Sequence, residues 1–108
     1  MTTKAKVQPT TGVDDNGLAW EDVEVLGKTY RVREISVEES DAAFDASQNP
    51  DKTFNPRLNQ RLQLASAIVD PPTTLDEISK WGIRKLVAML NAFDGLNSLP
   101  AADTEGNG

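Results

Sequence analysis

The chain has 108 residues, with 11 Lys and Arg against 17 Asp and Glu, and contains neither His nor Cys. That length holds one small domain, and the two missing residue types exclude disulfides, thiolate zinc sites, thiol nucleophiles, His-based triads and His–metal centres. A net charge of −6 argues against a nucleic-acid partner, which needs a cationic face. No apolar run approaches the ~20 residues of a membrane span, so no membrane partner is expected. Met1 to Lys6 lacks the pattern of a signal peptide, and the expected setting is cytoplasmic.

Both ends of the chain are polar. Residues 1–17 carry only two isolated valines, and residues 100–108 are small and Gly-rich. Neither stretch offers enough apolar surface to offset the entropy of being ordered. The expectation is a flexible tail at 1–17, one domain at 18–99, and a second flexible tail at 100–108.

The first regular element is a hairpin in AWEDVEVLGKTYRVREI. A two-residue loop at Gly27-Lys28 would give glycine the positive φ of a II′ turn. That register pairs Val25 with Tyr30 and Val23 with Val32 on one face, and Glu24 with Arg31 and Asp22 with Arg33 on the other. An apolar ladder backed by opposite charges suits a half-buried antiparallel pair. One fault remains: Glu21 would face Glu34. A lone hairpin is marginal in water, so helices or another chain must cover its Val/Tyr face.

Helices follow. Ser36 and Glu39 form a capping box ahead of VEESDAAFDASQ, with Val37 and Phe44 on one side and Asn49-Pro50 as its end. Asn55 caps a second helix with Pro56 at its first position. Leu58, Leu62, Ala65 and Val69 keep helical spacing up to Asp70-Pro71-Pro72. Thr74 and Glu77 form another capping box, and Leu75, Ile78, Leu86, Met89 and Phe93 continue one face across Gly82. Residues 75–94 are then one helix, or two broken at Gly82. Gly95 suits a C′ position with Leu96 folding back on the last turn. The expected fold class is α+β, predominantly helical: an N-terminal β-hairpin followed by three or four helices, with flexible termini.

No residue set carries a catalytic or cofactor signature. The acidic cluster Glu34, Glu38, Glu39, Asp41 and Asp45 lacks the glycine and alternating ligands of a calcium loop, and reads as a solvated helix face with no metal. No nucleophile elbow, P-loop or dinucleotide fingerprint is present. Arg57/Arg61 and Lys80–Arg84–Lys85 are small basic patches; each could meet an acidic partner or a phosphate, or pair with the chain's own acids. The last helical region has apolar residues over more than half its circumference, which places it at the core's centre or gives it a second partner. On that ground Trp81, Ile83, Val87 and Leu90 are the candidate partner-binding residues.

Taken together, the "V-x-V-L-G-K-T-Y-x-V-R-E-I-S-V-E-E" hairpin, an acidic helix, a leucine-bearing helix ending "A-I-V-D-P-P", the "T-L-D-E-I-S-K" cap and a last helix ending "L-N-A-F-D-G-L" resemble a known family. It is the tail assembly chaperones of long-tailed bacteriophages, the XkdN-like group, and the resemblance covers about Val23 to Leu96. The resemblance implies a non-enzymatic, mostly helical protein that coats the tape measure protein before the tail tube polymerises. It further implies self-association, residence in the host cell cytoplasm and absence from the mature virion. In many phages a frameshift yields a longer product of such a gene. The alternative is a structural virion component, such as a head–tail connector or tube-associated protein, which would devote more residues to strands. A small transcriptional regulator would need a basic recognition helix, and none is evident. An enzyme would need titratable groups suited to neutral pH.

Overall fold

The hairpin forms where its alternation places it, but it turns one residue early. A computed structural model of the chain describes residues 10–98. In it strand β2 (Ala19–Val25) meets β3 (Lys28–Arg33) through a loop at Leu26-Gly27, with φ of 50° and 82°. Two positive φ values define a I′ turn, whose twist matches that of the flanking strands. The II′ turn at Gly27-Lys28 is therefore corrected, and so is every pairing built on it. Val23 faces Tyr30, Val25 faces Lys28, Asp22 faces Arg31 and Glu24 faces Thr29. The slide is by two residues, so no side chain changes face. Val25, Tyr30 and Val32 still point into the core, buried to 8%, 3% and 0% exposure. The new register also removes the Glu21–Glu34 clash. Glu21 faces Val32, and the Glu34 carboxylate accepts the Ala19 N–H at 3.0 Å.

Two further strands complete a four-stranded antiparallel sheet in the order β1-β2-β3-β4. Strand β1 (Thr11–Val13) pairs Gly12 with Trp20 and Val13 with Ala19. A turn follows it, where the Asp14 carboxylate accepts the N–H groups of Asn16 and Leu18. Residues 11–13, expected within the N-terminal tail, form an edge strand of the sheet. The remaining tail residues, 1–9 and 100–108, lie outside the described residues. Strand β4 (Ile68–Asp70) pairs with β3 at Val32↔Ile68 and Arg31↔Asp70. Its residues continue the spacing of the preceding helix, which is why they read as helical. Asp70 precedes Pro71, a position biased towards extended backbone, and Asp70–Pro71 is a cis peptide bond.

The predominantly helical fold is accordingly corrected. The domain is α+β with a four-stranded sheet and four helices, about 47% helix and 25% strand. Helix α1 (Val37–Ala46) opens on the Ser36/Glu39 capping box, and α2 (Pro56–Ala67) opens on Asn55 with Pro56 in its first turn. Helix α3 (Leu75–Ser79) opens on the Thr74/Glu77 box. The break at Gly82 is real: Gly82 is the N-cap of α4 (Ile83–Asn97), with φ −73° and ψ 158°. Gly95 does not end α4. The helix continues two residues because Leu96 packs on the core and the Asn97 side chain accepts the Ile35 N–H at 2.9 Å. That contact ties the end of α4 to the β3–α1 connection.

The core lies between the sheet and helices α2–α4. Val25, Tyr30 and Val32 meet Leu64, Ala67, Ile68, Ile78, Met89 and Phe93, with Leu64, Val32 and Met89 fully enclosed. Helix α1 stands outside this cluster and buries one residue, Ala43. The side of α1 that carries Val37 and Phe44 faces outward: Val37 is 79% exposed, and Phe44 stacks on Phe54 at the surface with ring centroids 4.7 Å apart.

Candidate partner-binding surfaces

The four candidate residues divide into two pairs. Ile83 and Val87, one turn apart on α4, are 72% and 49% exposed. Leu86, Met89 and Phe93 turn the other way, into or against the core. Trp81 and Leu90 pack against the core as partly buried residues, so the four do not form one exposed patch. Trp81 and Tyr30 pack edge to face, with centroids 5.9 Å apart and planes at 65°. That edge-to-face arrangement is a favoured aromatic geometry.

Around this aromatic pair lies a small hollow outside the exposed Ile83/Val87 ridge. Its parts come from β3, the β4–α3 connection, the α3–α4 junction and α4: Tyr30, Pro71, Pro72, Trp81 and the two lysines Lys28 and Lys85 among them. The Lys85 Nζ stands 4.7 Å from the centroids of both rings, and the Lys28 Nζ stands 5.4 Å from that of Tyr30. Glu77 also borders the hollow. Its carboxylate accepts the Thr74 N–H at 2.8 Å, and this backbone bond, ahead of the Thr74 hydroxyl, holds its pKa below the usual carboxylate range. A signal for the hollow did exist, in the Lys-x-Tyr of β3 and the Trp-x3-Lys around Gly82. Only the fold reveals that they meet.

The acidic residues at the start of α1 are partly occupied. The Arg33 guanidinium grips the Glu39 carboxylate with bonds of 2.8 and 2.7 Å and, as the largest influence, holds its pKa down at about 2. A hollow of about 400 Å³ lies beside this pair, between the Asp14–Leu18 turn and α1. Its cation, Arg33, is thus already engaged. On the outer sheet face Arg31 lies 3.6 Å from the Trp20 ring centroid and holds the Asp22 carboxylate, the main cause of that group's lowered pKa. Of the basic group near Gly82, Lys80 pairs with Asp76 at 3.2 Å. Lys85 has an aromatic neighbourhood instead. Among the described residues no group of three or more acidic side chains is placed to hold a metal ion, and no helix is long and apolar enough to cross a membrane.

No family model, no curated protein and no solved structure matches this chain.

Proposed function

We propose that this chain is a non-enzymatic bacteriophage tail assembly chaperone. Its client is the tape measure protein, kept soluble in the host cytoplasm until the tube closes around it. The observation that carries the reading is the outward pair Ile83 and Val87. Helix α4 fills the core with one side, yet presents two β-branched apolar residues to solvent on another. Such a ridge suits the apolar face of a client helix laid along it. The same ridge could join two copies, and self-association belongs to the proposal.

The reading also draws on the resemblance of residues 23–96 to the tail assembly chaperones. The share of sheet departs from the mostly helical form that the resemblance implies. It favours one second reading, a structural component of the virion.

Co-expression with the long tape measure protein tests both. The wild-type chain should keep that protein in the soluble fraction, and Ile83→Glu/Val87→Glu should lose this effect while melting cooperatively. A soluble tape measure protein with the double variant would place the contact elsewhere. Mass spectrometry of purified particles should find no copies of the chain. Stoichiometric copies in the mature tail would select the structural reading.

A further inference from the structure

The hollow beside Trp81 is separate from the Ile83/Val87 ridge. Residues 83 and 85 are about 200° apart around a helix, so Lys85 stands on a different flank of α4 from Ile83 and Val87. The chain carries an excess of acid, and Arg31, Arg33 and Lys80 each meet a carboxylate within 3.2 Å. Lys28 and Lys85 meet none within ion-pair distance among the described residues. Their ammonium groups converge on Tyr30, and Lys85 also lies beside Trp81. Cation–π contact places the charges at the hollow without neutralising them. Glu77, the acid at the rim, accepts the Thr74 N–H and hydroxyl through a single carboxylate oxygen and lies beyond ion-pair distance of both lysines.

The dimensions narrow the ligand. The hollow measures about 170 Å³, below the ~300–1,000 Å³ usual for a small-molecule or cofactor site. One side chain fits. Its two ammonium groups call for an anion, while the rings of Tyr30 and Trp81 and the surfaces of Pro71 and Pro72 reward an apolar neighbour. Inorganic phosphate would satisfy the charge and leave the rings unused.

We propose that the Tyr30–Trp81 hollow, rimmed by Lys28 and Lys85, binds an Asp or Glu side chain flanked by an apolar residue on a partner polypeptide. The carboxylate sits between the two ammonium groups, and the flanking residue covers the aromatic edge. The proposal does not depend on the identity of the α4 client, because it uses other residues.

Calorimetric titration of the full chain tests it with a soluble peptide carrying Glu-Leu-Glu between Gly-Ser flanks. Binding should be saturable and should weaken as salt is raised. Lys28→Gln and Lys85→Gln should each weaken it about tenfold, as loss of one side of a charge contact does. The matching Gln-Leu-Gln peptide should give no saturable heat. No binding of the acidic peptide, equal binding of the Gln peptide, or unchanged affinity in both lysine variants would each overturn the proposal. Inorganic phosphate competing at the peptide's own concentration would assign the hollow to a simple anion instead. If Lys85→Gln fails to fold, the exposed Lys28→Gln decides alone.

Discussion

Arg33 and Glu39 lock β3 to α1 through two parallel hydrogen bonds of 2.8 and 2.7 Å. The same carboxylate closes the capping box by accepting the Ser36 N–H at 2.9 Å. One side chain thus serves the helix start and the tie between helix and sheet.

The pair makes stability depend on acid. The Glu39 pKa falls from an ordinary 4.5 to about 2 on folding. Its contribution is therefore complete above pH 4.5 and is lost as pH falls from there towards 2. Glu39→Gln should cost about 1–2 kcal/mol at pH 7, a figure discounted because the pair touches solvent. Denaturant melts at several pH values should show the gap to wild type closing below pH 4.5. A gap that stays constant to pH 2 would show that the ion pair contributes nothing.

The turn offers a stabilising change. Leu26 adopts φ 50° while 75% exposed, a conformation that asparagine tolerates better in a I′ turn. Leu26→Asn should raise stability by about 0.5–1 kcal/mol, and Gly27→Ala should lower it by about 1–2 kcal/mol. Double-mutant cycles check the register independently. Asp22 and Arg31 should couple, whereas Glu24 and Arg31 should not.

Gly12 decides whether the first strand belongs to the domain. A Cβ there would lie 2.7 Å from the Trp20 ring, which Arg31 supports from the side chain of β3. Gly12→Ala should destabilise by about 1–3 kcal/mol, as overpacking does, and should shift the indole N–H resonance of Trp20. An unshifted resonance and unchanged melting would detach β1 from the fold.

Helix α4 should show two opposite responses. Met89 is fully enclosed, so Met89→Ala should cost about 2–5 kcal/mol. Ile83→Glu and Val87→Glu should each change stability by about 0.5 kcal/mol or less, as surface substitutions do. Thermal melts of the three variants separate core from surface on one helix. Large losses at Ile83 and Val87 would make that ridge structural.

The caps and the hairpin were legible because their signals are local. Ser36/Glu39, Asn55-Pro56 and Thr74/Glu77 each name a helix start within four residues, and period-2 alternation marks β2 and β3. The register was not legible, since Leu26-Gly27 and Gly27-Lys28 are both plausible loops until Asp22 is seen against Arg31. The two outer strands escaped for opposite reasons. Thr11–Val13 has no pattern of its own and is defined by pairing with Ala19–Glu21, while Ile68–Asp70 has the wrong pattern, inherited from α2. At the candidate site, an apolar α4 predicted a surplus face but not its division. Trp81 and Leu90 went to the core because Tyr30 and the sheet reach them, a contact separated by some fifty residues along the chain.

Helix α1 buries only Ala43 of its own residues and is held by the Arg33–Glu39 pair, its capping box, the Phe44–Phe54 stack, the bond from the Asn55 N–H to its C-cap Ser47 and its packing on α2. A segment held this way opens on its own, at a free energy below that of the whole domain. Its amide protons should then exchange with solvent ahead of those in β3 and α4, where Val32 and Met89 are sealed. The expected order of exchange is then α1 first, with the sheet and the C-terminal helices as one slower block.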